Sequence, residues 1–151
     1  MNNRAKTLLV AAGIICLALA MLHLEIIYLG APAYRYFGAG EEMAAQAQAG
    51  SWTPPLLTAG IALLLAGFAG YAFSGAGLLR PWPWARPALW AIAGVFTLRG
   101  LAVFVQLAAW AWGGRDFALR ELAFSLTALA LGLLFLAGAR GFTAGSAAKA
   151  A

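Results

Sequence analysis

Apolar residues in this chain fall into long blocks separated by short segments rich in glycine, proline and charge. The first block, residues 7–29, reads "TLLVAAGIICLALAMLHLEIIYL" and follows the basic start "MNNRAK". Others occupy about 53–79, 87–112 and 116–139. Each is as long as the run of roughly 18 to 20 residues that carries a helix across the hydrocarbon layer of a bilayer. Backbone groups in lipid must be satisfied within the segment, which blocks of this length achieve as helices. The pattern predicts an all-α polytopic membrane protein, a four-transmembrane-helix up-down bundle. A basic start before an apolar core also fits a cleaved leader. Because the run continues through His23 and Glu25 to Tyr28, a retained helix is the expectation.

Punctuation between the blocks fits that plan. Gly30 and Pro32 end the first helix, and residues 30–52, "GAPAYRYFGAGEEMAAQAQAGSW", form the longest connection. There Pro32 opens a short aromatic turn that Gly38 closes, and "EEMAAQAQA" reads as a small interfacial helix with acids in its first turn and Gly50 past its end. This predicts an outer lid lying on the membrane surface. Thr53 and Pro54 start the second span, whose Gly60, Gly67, Gly70, Ser74 and Gly77 predict close helix packing. The turn "RPWPWARP" at 80–87 places the next start near Pro87. Asp116 is a cap or first-turn acid for the fourth span, and "RGFTAGSAAKAA" at 140–151 reads as a disordered tail. Length allows a single membrane domain, 1–151.

Composition strengthens the membrane assignment and charge orients it. Only 10% of residues are charged and 64% are apolar, with a mean hydropathy of +0.83, whereas a soluble domain carries charge on about a quarter of its residues. Arg4, Lys6, Arg80, Arg86, Arg140 and Lys149 share one side of the four-span plan, against Arg35, Arg115 and at most Arg120 on the other. That excess predicts both termini in the cytoplasm. Trp82, Trp84 and Trp90 at one level, and Trp52, Trp110 and Trp112 at the other, would form two aromatic belts. Every acid, Glu25, Glu41, Glu42, Asp116 and Glu121, falls on or near the outer side.

Several function classes are disfavoured. A net charge of +5 comes with neither a basic stripe nor a nucleic-acid-binding motif, so no nucleic-acid partner is expected. One cysteine, Cys16, excludes an internal disulfide or a multi-cysteine metal site, and one histidine excludes bis-histidine haem ligation from this chain alone. His23 and Glu25 are two residues apart and nearly opposite on a helix, which weakens a metal site. No metal or cofactor is expected. Neither a nucleophile and base pair nor a phosphate loop is present, so a non-enzymatic role is preferred.

Arg99, at the centre of "AGVFTLRGLAVFVQ", is the feature that demands an account. Insertion scales charge about 2.5 to 3.5 kcal/mol for an arginine at mid-helix. Glu25, Gln106 and Glu121 each lie roughly 10 Å outward of the midplane by helical rise. Side chains lean toward their own helix N-terminus, which favours Glu25 over Glu121 as the partner of Arg99. Arg99, Ala102, Val103, Gln106 and Trp110 share a face that should look into the bundle. Asp116 and Arg120 can pair locally, leaving Glu121 with Ser125.

Several of these segments resemble a group of small uncharacterised four-span inner-membrane proteins of proteobacteria. The resembling pieces are "GAPAYRYFGAGEEMA", "TPPLLTAGIA", "YAFSGAGLLR" and "TLRGLA", with the histidine of "MLHL". The resemblance implies a bacterial inner (cytoplasmic) membrane location and no particular activity. The Ala-rich remainder of the lid departs from the group and weakens a role for Gln46 or Gln48.

Two readings follow. In the first, Arg99 floors a polar pocket in the outer half, walled by Glu25, Gln106 and Glu121 and covered by a lid with Tyr34, Arg35 and Tyr36, that takes a small molecule or lipid group. Arg99 with Glu25 as a plain structural clamp is the bland form of the same geometry. In the second, the chain is a scaffold or accessory subunit, docking another membrane protein or further copies of itself. Orientation is tested first: a C-terminal reporter active only in the periplasm is expected to stay silent, and activity would reverse the assignment.

Overall fold

The computed structural model describes residues 2–112 and 119–147, apart from the side chains of 142–147. Among them are the helices α1 (Asn3–Leu29), α2 (Ala31–Tyr36), α3 (Glu41–Gln48), α4 (Thr53–Ala76), α5 (Ala85–Ala111) and α6 (Leu119–Ala147), with no strand among the described residues. The fold is all-α. Helices α1, α4 and α5 and the Leu119–Gly141 part of α6 are long and apolar enough to cross a membrane. The cap expected at Asp116, its pairing with Arg120, and Arg115 and Lys149 lie outside the described residues.

Helix ends differ from the sequence reading for local reasons. Helix α1 starts at Asn3 because the Asn2 Oδ1 accepts the Ala5 N–H at 2.8 Å, a cap that draws the basic start into the helix. Helix α4 stops at Ala76 instead of 79. There the Leu78 N–H donates to the Phe73 carbonyl and the Gly77 N–H to that of Ser74, with Gly77 at φ 79°. Helix α5 takes in Ala85 and Arg86 ahead of Pro87, since a first-turn proline gives up an N–H that no helical carbonyl would use. Helix α6 runs to Ala147, through much of the expected tail. Gly141 there faces the Ala5 side chain of α1, a tertiary contact invisible to composition.

The chain divides into two compact units, residues 1–13 with 70–151, and residues 14–69. In the first, Leu9 is fully buried and its methyls fill the space over both Gly75 of α4 and Gly138 of α6, while Leu89 of α5 also covers Gly75. Ends of all four long helices thus meet around one leucine. Further along, Phe96 stacks on Phe135, with ring centroids 5.9 Å apart. In the second unit, Ile26, Ala33, Tyr34 and Ala44 form a small core, flanked by Leu22, Phe37 and Met43. That core holds the 30–52 connection in place as two short helices.

Close backbone approach was expected along α4, yet Gly60 and Gly67 have open space where a Cβ would stand. It occurs instead between α5 and α6. A Cβ on Gly100 would lie 2.5 Å from the Leu129 Cα, and one on Gly132 would lie 2.7 Å from the Thr97 backbone nitrogen. Backbone cannot move aside as a side chain can. Gly100→Ala is therefore expected to cost about 1–3 kcal/mol by overpacking, while Gly60→Ala should be neutral or slightly stabilising by the helix propensity of alanine. Thermal melts of the two variants in detergent check this, and equal melting temperatures would refute the tight crossing.

Candidate functional site

The notches at Gly100 and Gly132 set the register of the antiparallel α5–α6 pair, with Gly100 opposite Leu129 and Thr97 opposite Gly132. Ser125, one turn before Leu129 on α6, is then level with Phe104 on α5. The Arg99 Nη1–H nevertheless donates to the Ser125 Oγ, at 3.5 Å. The Arg99 side chain therefore reaches toward the C-terminal end of α5 to meet it. The direction is opposite to the N-terminal lean expected from helix geometry.

Ser125 is completely buried, and its bond to Arg99 is at the long limit. A guanidinium has five N–H donors, and Arg99 is exposed. Two turns beyond Arg99 on the same stripe, the buried Oε1 of Gln106 has no hydrogen-bond donor among the described residues. Glu121 lies one turn from Ser125 on α6 and is exposed. The proposed floor, Arg99, and two of the proposed walls, Gln106 and Glu121, thus fall along the C-terminal half of α5 and the facing start of α6. The stripe does not turn inward as one face. Val103 is buried, but Trp110 is 62% exposed and Arg99 flanks the packed ridge of Phe96, Gly100 and Val103.

In the second unit, Glu25 is exposed on a stripe of α1 with Met21, Leu24 and Tyr28. Together with Ala18, Leu19 and Leu22 they line a shallow groove of about 740 Å³. His23 points elsewhere: its Nδ1–H donates to the Leu19 carbonyl at 2.7 Å, which fixes the ring against its own helix. Among the described residues, no group of three or more His, Cys, Asp or Glu gathers that could hold a metal ion.

The lid residues take three different positions. Tyr34 is only 2% exposed, and its hydroxyl accepts a bond from the Thr58 Oγ1 at 3.3 Å, so it pins α2 to α4 and is a core residue. Tyr36 is 59% exposed and meets Phe37 edge to face. Arg35 grips both carboxylate oxygens of Glu41, Nε to Oε2 at 2.9 Å and Nη2 to Oε1 at 2.7 Å, and Nη2 also donates to the Gln48 Oε1 at 3.3 Å. Thr58 and Gln48 were not foreseen, because each depends on how α2 and α3 fold back rather than on spacing within a helix.

The chain matches no family model, no curated protein and no solved structure.

The fork of hydrogen bonds and the charge of Arg35 hold the Glu41 carboxyl below its ordinary pKa of 4.5. A carboxylate depressed in this way contributes stability above its unfolded pKa, and that contribution is lost as pH falls through the folded value. The Arg35–Glu41 link should therefore survive down to pH 4.5 and release only below it. Arg35→Gln should bring the Glu41 titration, followed by carboxyl NMR shifts, back up toward 4.5. An unchanged midpoint would remove Arg35 as the cause.

Proposed function

We propose that this is an integral inner-membrane protein of the kind its sequence resembles, and that its α5–α6 pair binds a small molecule or lipid group in the outer half of the bilayer. The observation that carries this reading is the buried, undonated Oε1 of Gln106 on the same stripe as the exposed Arg99. Leaving such an acceptor unsatisfied costs about 1–3 kcal/mol, and a mid-helix arginine needs an anion, carbonyl or water. One ligand group meets both needs: an anion or carbonyl that accepts from the guanidinium, carrying a hydroxyl or N–H that donates to Gln106. Glu121, at the mouth, would accept a further hydrogen bond. No bond need be made or broken, and binding alone is the activity proposed.

The accessory-subunit reading has its own support in Glu25. A carboxylate exposed among Met21, Leu24 and Tyr28 on a membrane-length helix is costly against lipid and favours a partner helix with a polar or basic residue.

Lipid-resolved native mass spectrometry distinguishes the two. A bound small molecule or lipid should accompany the wild-type chain and be lost from Arg99→Gln. Gln106→Leu should lose the ligand as well, yet melt higher than wild type in its ligand-free form, because the orphaned acceptor is gone. A stoichiometric protein partner in place of a small molecule would favour the subunit reading, and a Gln106→Leu chain that melts lower would sink the site.

A further inference from the structure

The first unit has a second charged feature, remote from Arg99. Leu9 packs against Gly75 and Gly138, and Leu89 against Gly75, so these positions of α1, α4, α5 and α6 share one layer. Arg4 and Lys6 precede Leu9 in α1, Arg86 precedes Leu89 in α5, Arg80 follows Gly75 beyond the end of α4, and Arg140 follows Gly138 in α6. Each lies two to five residues beyond the layer, and all on the same side of it. The contact of Ala5 with Gly141 sets Arg4 and Arg140 on adjacent helices of this crown. All five cations are exposed. The single described acid of the unit, Glu121, is at the opposite end of α6.

The turn that carries Arg80 is built rather than loose. The Ser74 Oγ donates to the Arg80 carbonyl at 3.1 Å and accepts the Trp82 N–H at 2.8 Å. Trp82 then lies back over Gly70 and meets Tyr71 edge to face. Trp84 takes a left-handed conformation, φ 59°, caps α5 without a side-chain hydrogen bond, and is 80% exposed. The first N–H groups of α5 therefore stay open between Arg80 and Arg86 and add the positive end of the helix dipole. Exposed tryptophans mark the headgroup level of a bilayer.

We propose that this crown of Arg4, Lys6, Arg80, Arg86 and Arg140 is a docking site for the phosphodiester headgroup of an anionic phospholipid. Charge complementarity selects the occupant: five cations, remote from the single described acid of their unit and flanked by the exposed Trp84, present guanidinium forks to phosphate oxygens. Lipids with two phosphates gain most. The site is independent of the one proposed at Arg99.

The test uses the full chain in zwitterionic detergent, with cardiolipin and phosphatidylcholine as competing probes in native mass spectrometry. The wild type should retain cardiolipin over phosphatidylcholine, and Arg80→Gln with Arg86→Gln should cut that preference by about fivefold per arginine. Lysine at both positions should keep most of it, and Arg35→Gln, in the other unit and engaged with Glu41, should leave it unchanged. Equal retention of the two lipids by the wild type overturns the proposal, and that comparison stands even if the glutamine variant fails to fold. So does a loss in Arg35→Gln as large as in the double variant. Displacement of cardiolipin by inorganic phosphate at millimolar concentration would show a free-phosphate site instead and likewise overturn it.

Discussion

Everything in this structure answers to one constraint: an apolar chain in lipid has no water to satisfy its backbone, so each helix must close its own hydrogen bonds. The long helices do so along their length. Where they or their short companions end, the last carbonyls are taken up by a returning backbone. After α2 the Ala39 N–H reaches the Tyr34 carbonyl, after α3 the Ser51 N–H reaches that of Gln46, and after α4 the same bond joins Leu78 to Phe73. The residue that permits each reversal is a glycine of positive φ, Gly38, Gly50 or Gly77. Connections can then be short, and the side chains at the turns are left free for other work.

Polar side chains follow the same logic at greater cost. Thr58 and Tyr34 bond to each other, and His23 and Thr127 return to carbonyls one turn back, at Leu19 and Ala123. These groups are neutralised locally. Arg99 and Gln106 are handled differently, with one long bond to Ser125 for the first and no donor for the buried oxygen of the second. The distinction separates polar residues satisfied within their own unit from two that the described residues leave incompletely satisfied.

The four spans were legible from the sequence because length and apolar content decide them, and the closing roles of Gly38 and Gly50 because positive φ favours glycine. Legibility ended where helices had to find one another. The small residues of α4 promised close packing, which Gly70 meets under the Trp82 ring, but Gly60 and Gly67 face open space and the tight backbone crossing lies at Gly100 and Gly132. A small residue shows that close approach is possible, and only the partner's position shows where it happens. Ser125 as the partner of Arg99 was missed for the same reason, since it sits on another helix. Tyr34 looked like an interfacial aromatic, and became core because α2 folds it toward Thr58.

The two glycine notches have a mechanical consequence for the α5–α6 pair. Gly100 receives Leu129 of α6, and Gly132 receives Thr97 of α5, so each helix carries a recess for a residue of the other. Sliding by one residue would set side chains against backbone at both recesses at once. Shear between the two helices is therefore blocked at two levels at once, and the register of the pair is fixed.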